Sequence, residues 1–85
     1  MLEEKIKCLL VKPYELPQEI EIDNTLEAKQ KLVGGWIEQA FLPKDDSVVL
    51  ICNEEGKING LPYNRDIGHD IIAGNFIIIL ITRNN

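Results

Sequence analysis

The sequence predicts one α+β domain over residues 1–85, with a small mixed or mainly antiparallel sheet of about four strands and one main helix packed on one face. Three observations support this fold class. Residues 48–52 and 76–81 are apolar stretches of strand length, rich in β-branched side chains. Residues 24–35 contain both a helix start signal and a helix stop signal. With 85 residues, the chain has room for a single apolar core.

The chain is predicted to begin with a strand and an extended crossing segment. Residues 5–12 form the first strand, which ends at Pro13 because proline has no amide hydrogen for a ladder. Pro17 and the alternation of charged and apolar residues over 19–22 predict an extended segment with a short edge strand.

The main helix is predicted to follow this crossing. Asn24 is expected to cap its first turn, and Glu27, three residues later, to reach back as in a capping box. Gly34 and Gly35 end the helix, because glycine adopts left-handed backbone geometry at little cost. The apolar side of the helix consists of Leu26, Ala28, Leu32 and Val33.

The second half of the chain is predicted to supply the remaining strands. Residues 36–42 and 47–52 form a hairpin around a turn at residues 43–46. A polar segment at residues 53–66 follows, and Gly74 is expected to mark a bulge or turn before the last strand. The predicted order is strand, helix, two strands, loop and strand.

Both faces of this sheet are predicted to need burial. Residues 48–52 and 76–81 are apolar at odd and even positions, and neighbouring side chains of a strand point to opposite faces. One short helix covers one face only, so the sequence predicts a homo-oligomer, most simply a dimer, that covers the other. The alternative is that residues 14–22 fold back as a lid.

Charge and cysteine content exclude several classes of protein. A net charge of −5 disfavours binding to nucleic acid or to anionic lipid, because phosphate contacts need cations. Cys8 and Cys52 lie in apolar runs and lack metal-ligand spacing, as expected of reduced, buried thiols in a cytoplasmic protein. No signal peptide or transmembrane stretch is recognisable. Residues 15–27 are acidic and contain no Lys or Arg, which is typical of a solvated edge.

The sequence favours binding over catalysis. His69 is the sole histidine, so a histidine-based triad or a zinc site has no recognisable spacing. The side chains of Glu54 and Glu55 diverge in an extended segment and do not form a paired-carboxylate site. We therefore expect no catalytic residue, no metal and no cofactor.

The polar segment at residues 53–66 is the candidate binding site, because loops on a rigid scaffold collect binding groups. Arg65 offers a planar fork for a carboxylate or phosphate, and Lys57 offers a point charge. Tyr63 or Trp36 is expected to stack on a ligand. The full predicted set is Trp36, Asn53, Glu55, Lys57, Asn59, Tyr63, Asn64 and Arg65.

Structural explanations exist for the same residues. Residues 53–57 also suit a plain hairpin turn, and Arg65 suits a surface ion pair with Asp66 or Glu55. Asn64 also suits the cap of a short helix at residues 65–68, and Trp36 suits the core.

The spacing of residues 52–57, 60–62, 64–65 and 70–74 resembles a family of small phage and mobile-element proteins catalogued as domain of unknown function 3846. Residues 26–38 also resemble the helix-to-strand junction of that family. The resemblance implies a phage or prophage setting, in which small oligomeric proteins act against host defence. We therefore expect a protein that sequesters a small anionic, nucleotide-derived immune signal. The alternatives are an acidic inhibitor that binds a host protein through residues 15–27, and an accessory domain without a ligand.

Overall fold

The computed structural model describes residues 4–42 and 45–80. These residues form one helix and seven strands in the order β1 (Lys5–Val11), β2 (Gln18–Asp23), α1 (Leu26–Val33), β3 (Ile37–Leu42), β4 (Asp45–Asn53), β5 (Tyr63–Asp66), β6 (Ile71–Ala73) and β7 (Phe76–Leu80). Five strands make one antiparallel sheet in the order β2-β1-β7-β4-β3, and β5 pairs with β6 in a separate hairpin. The predicted α+β class and the single main helix are confirmed.

Several predicted element boundaries need correction. The short edge strand predicted in the crossing segment is present as β2. The structure contains more strands than the four predicted, because the end of the polar segment forms β5 and residues 71–73 form β6. Residues 45–46 belong to β4 rather than to a turn, while residues 43–44 and 81 lie outside the described residues. A short helix at residues 65–68 is wrong, because the backbone through Asp66 is a strand.

The helix cap lies one residue later than predicted. Thr25, not Asn24, is the N-cap, and its Oγ1 accepts a hydrogen bond from the Ala28 amide at 3.1 Å. The Asn24 amide instead donates to the Glu4 carbonyl at 2.9 Å, which extends the ladder between β1 and β2. Gly34 ends the helix with φ of +85°, as predicted.

Each face of the sheet carries its own apolar cluster. On the helix side, Cys8, Leu10, Ile51 and Ile77 are buried together, with Leu32 of α1 packed against them. On the opposite side, Val11, Leu50, Cys52 and Phe76 pack against Ile72 of β6. The β5-β6 hairpin is therefore the element that covers the second face at this end of the sheet.

The alternative lid at residues 14–22 is wrong. Residues 18–22 all belong to strand β2, which lies within the sheet and pairs with β1. Tyr14 and Leu16 are both 88% exposed and cover no apolar surface. The helix and the hairpin, on opposite faces, leave one end of the second face uncovered, where Leu9 and Leu80 are exposed.

Candidate functional site at Arg65

Asn53 joins the end of β4 to the end of the helix. Its Oδ1 accepts a hydrogen bond from the Glu55 amide at 2.8 Å, which closes the turn after β4. Its Nδ2 donates to the Val33 carbonyl at 3.1 Å, one of the carbonyls at the helix C-terminus. The side chain is buried, and both of its polar groups are engaged within the fold.

Asn64 fastens the hairpin to the sheet. Its Nδ2 donates to the Val11 carbonyl at 2.9 Å and to the Gly74 carbonyl at 2.8 Å, so one amide group connects β5 with β1 and with the turn before β7. The side chain is buried. Its Oδ1 is also buried and has no hydrogen-bond partner among the described residues.

Lys57 lies in a cleft between the β3-β4 edge and the hairpin. The cleft has a volume of about 550 Å³, and its charged lining residues include Glu38, Glu54 and Asp70. Lys57 Nζ donates to Asp70 Oδ1 at 2.7 Å in an exposed salt bridge. The charge of Lys57 is therefore balanced within a mostly acidic cleft, which disfavours an anionic ligand there.

The two groups of this salt bridge have opposite pKa shifts. The hydrogen bond from Lys57 lowers the pKa of Asp70 below its ordinary value of 3.8, and the Ile71 amide lowers it further. The hydrogen bond to Asp70 raises the pKa of Lys57 above 10.5. Because its pKa is lowered in the folded protein, Asp70 contributes fully to stability above its ordinary pKa of 3.8. This contribution is lost as the pH falls through the lowered pKa. Because its pKa is raised in the folded protein, Lys57 contributes fully to stability below its ordinary pKa of 10.5. This contribution is lost as the pH rises through the raised pKa.

We expect Lys57→Met to raise the pKa of Asp70 towards 3.8, because the main cause of its lowering is removed. The pKa should stay below 3.8, because the Ile71 amide still donates to Asp70 Oδ1 at 2.8 Å. An NMR titration of the Asp70 carboxyl group measures both effects, with Lys12→Met as the matched control. An unchanged Asp70 pKa in Lys57→Met would contradict the salt bridge.

Arg65 projects from β5 at a different surface. Its Nη2 donates to the Glu15 carbonyl at 2.8 Å, which ties the guanidinium to the loop between β1 and β2. A shallow concavity of about 340 Å³ lies here, lined by Tyr14, Glu15, Leu16, Tyr63, Asn64 and Arg65. We call Tyr14, Leu16, Tyr63 and Arg65 the Arg65 shelf.

The Arg65 shelf exposes large apolar and aromatic side chains to solvent. Tyr63 is 51% exposed beside Arg65, and Leu16 is 88% exposed. Tyr14 adopts φ of +64°, a left-handed backbone conformation that costs an L residue about 1–2 kcal/mol. Strained residues of this kind cluster at binding sites and are maintained by their surroundings.

The structure brings together only part of the predicted site. Tyr63, Asn64 and Arg65 line the concavity at the Arg65 shelf, whereas Asn53 and Lys57 line the acidic cleft. Glu55 and Asn59 are exposed.

Trp36 lines neither the concavity at the Arg65 shelf nor the acidic cleft. It is exposed rather than buried in the core, and it lines a groove of about 800 Å³ with residues of α1 and with Ile22 of β2. Sequence reasoning missed Tyr14 and Leu16, although two large side chains between Pro13 and Pro17 are a signal for an exposed apolar loop.

The cysteines are poor candidates for chemistry. Cys8 and Cys52 are buried free thiols, and burial raises the pKa of both, so they stay protonated at neutral pH.

In the part of the chain that the structure describes, no group of three or more His, Cys, Asp or Glu is placed to hold a metal ion. Within the same residues, no helix has the length and apolar character needed to cross a membrane.

These features define a small α+β domain in which an antiparallel sheet lies between one helix and one hairpin. The chain belongs to the family described as Domain of unknown function (DUF3846), whose model matches residues 6–85. The resemblance seen in the sequence is thereby confirmed at the level of the family. No curated protein and no solved structure matches the chain.

Proposed function

We propose that this protein binds a small anionic, nucleotide-like ligand at the Arg65 shelf and does not turn it over. The observation that supports this proposal best is the placement of the Arg65 side chain. Its guanidinium is held in place by the Glu15 carbonyl and stands beside an exposed tyrosine ring.

The guanidinium retains donors for a ligand. Arginine has five N–H donors in a planar fork, and the described residues engage Arg65 in one side-chain hydrogen bond. The remaining donors suit the oxygens of a phosphate, which arginine often binds in a bidentate manner. Because the side chain is already anchored, less conformational entropy is lost when the ligand binds.

The tyrosines supply the second half of the recognition. The exposed rings of Tyr63 and Tyr14 offer flat apolar surfaces of the kind on which nucleobases stack, and stacking on an aromatic side chain contributes about 1–3 kcal/mol per base. Lys57, Asn53 and Asn64 have a smaller part in this proposal than the sequence predicted, because their side chains are already engaged within the fold.

The biological setting we propose is a phage or prophage protein that acts in the host cytoplasm against a nucleotide-derived defence signal. This setting is what the sequence resemblance implies. Sequestration needs affinity and abundance, not turnover, which agrees with thiols that stay protonated and with a lone, exposed His69.

We expect Arg65→Ala to weaken binding of the best nucleotide ligand by about 10–100-fold, since a hydrogen bond to a charged group contributes about 1.5–3 kcal/mol. Isothermal titration calorimetry against cyclic mono- and dinucleotides and ADP-ribose derivatives measures this loss. Arg65→Lys keeps the charge but lacks the fork, and should lose most of the same affinity.

Lys57→Ala is the matched control, because it removes one cation from the acidic cleft. The affinity of Lys57→Ala for the nucleotide should stay within about twofold of the wild-type affinity. Absence of binding by the whole panel at tens of micromolar, or an equal loss in Lys57→Ala and Arg65→Ala, would contradict the proposal.

An acidic protein-binding surface is a second candidate function. Glu15, Glu19, Glu21 and Glu27 are exposed, and β2 lies at the edge of the sheet, where a partner has access. A basic host protein captured from a lysate, and lost on Glu19→Lys/Glu21→Lys but not on Arg65→Ala, would favour this function over the nucleotide.

A further inference from the structure

An apolar patch lies on the hairpin side of the sheet, beyond the reach of the hairpin. It consists of Leu9 on β1, Val48 on β4, and Ile78 and Leu80 on β7, which we call the open patch. The patch is continuous across three strands, because Leu9 is paired with Ile78 and Val48 with Leu80. Leu9 is 37% exposed and Leu80 67% exposed, and the other two are partly exposed.

The open patch exists because the hairpin is short. β5 has four residues and β6 has three, so β6 spans about 10 Å at the usual rise of a strand. β1 has seven residues and β4 has nine. The hairpin covers the end of the face around Val11 and Phe76 and leaves the opposite end to solvent.

We propose that the open patch binds the open patch of a second copy of this chain. A contact about a two-fold axis places the same surface on both subunits, so the surface must be complementary to itself. Lys7 and Glu21 are paired across β1 and β2, and Glu19 pairs with Leu9 beside them. All three charged side chains are exposed and share the face of Leu9 by strand alternation.

The rim of the open patch therefore carries both signs of charge. Lys7 forms no salt bridge with any of the residues that the structure describes, so it is available to a glutamate of the second copy. A rim of one sign would repel its own copy, and the net charge of the chain, −5, adds to that repulsion at long range. Paired rim charges oppose this effect at short range.

The size of the open patch sets the strength of the contact. Stable interfaces bury about 800 Å² per partner, and four apolar side chains supply less than that. The dimer is therefore reversible and forms as the protein concentration rises from the micromolar to the millimolar range. It places the two sheets face to face and leaves the Arg65 guanidinium, which is tied to the β1-β2 loop, outside the contact.

Sedimentation equilibrium across this concentration range tests the dimer. The average mass of the full chain should rise towards twice that of one chain. Leu80→Lys should reduce association by at least tenfold, because it places a charge within the apolar contact on its most exposed member. Ile58→Lys is the matched control, since Ile58 is 84% exposed and lies outside the patch, and it should dimerise like the wild type.

A charge swap tests the geometry. Lys7→Glu and the double variant Glu19→Lys/Glu21→Lys should each associate less than the wild type, and an equimolar mixture of the two should regain dimer. A wild-type chain that keeps the mass of one copy at millimolar concentration, or a Leu80→Lys variant that still dimerises, would overturn the proposal. Neither result depends on nucleotide binding, so the two proposals fail separately.

Discussion

Asn64→Ala is expected to lower the free energy of unfolding by about 2–4 kcal/mol, because each buried group left unpaired costs about 1–3 kcal/mol. The Asn64 Nδ2 group donates to the Val11 and Gly74 carbonyls, and the side chain is buried. Alanine leaves both carbonyls without that donor and removes the link between hairpin and sheet. Urea unfolding followed by circular dichroism measures the loss.

Two further variants make this prediction specific. Asn59→Ala removes the same group from an exposed position of the same segment, and should change the unfolding free energy by less than about 0.5 kcal/mol. Asn64→Asp keeps the size of the side chain but replaces the donor by a carboxylate facing two carbonyl oxygens, and should destabilise at least as much as alanine at pH 7. An Asn64→Ala variant as stable as Asn59→Ala would show that the amide does not fasten the hairpin.

The sheet and the helix were predictable because local patterns determine them. The apolar stretches that became β4 and β7 are long enough to predict strands, and Gly34 marks the end of the helix as expected. The cap was assigned one residue early because Asn24 and Thr25 are both good capping residues. The ladder contact from the Asn24 amide to Glu4, a tertiary feature, decides between them.

The β5-β6 hairpin was not predictable from local pattern. β5 has the sequence Tyr63-Asn64-Arg65-Asp66, which has no apolar alternation, and it is a strand because it pairs with β6 and because Asn64 attaches it to the sheet. The sequence predicts an uncovered second face but does not indicate that a hairpin covers part of it through Ile72 of β6. Whether a second copy covers the remainder stays a prediction.

The candidate site was predictable in composition but not in arrangement. Lys57 and Arg65 are eight positions apart, yet the turns between them place Lys57 beside Asp70 and Arg65 beside Glu15. The loop between β1 and β2, which contacts Arg65 and carries Tyr14, is about 50 positions away in the sequence. Local sequence patterns do not show which residues meet over such a separation. In the sequence, Asn53 and Asn64 cannot be distinguished from asparagines that bind a ligand. Only the buried hydrogen bonds of their side chains show that their role is structural.

Gly56→Ala is expected to destabilise the protein by about 2–3 kcal/mol, the upper part of the range of about 1–3 kcal/mol for forcing an extra group into a packed site. Gly56 is buried in the turn that leads from β4 to the hairpin. A Cβ atom at this position would lie 2.7 Å from the Ala73 carbonyl oxygen and 3.5 Å from the Asn53 carbonyl oxygen. Both neighbours are backbone atoms, so β6 itself must move to make room. Hydrogen exchange should show lost protection in β5 and β6 before the five-stranded sheet is affected.

Gly60→Ala separates crowding from backbone strain. Gly60 has φ of +72°, but no atom lies within 4 Å of the Cβ that alanine would add. Its cost should therefore be the conformational penalty of a left-handed L residue alone, about 1–2 kcal/mol, without selective loss of hairpin protection. Comparing the denaturant midpoints of Gly56→Ala and Gly60→Ala separates the cost of crowding from the cost of backbone strain. If Gly56→Ala were no more destabilising than Gly60→Ala, the contact with Ala73 would not limit the approach of the hairpin to the sheet, and Asn64 would remain as the contact that holds it there.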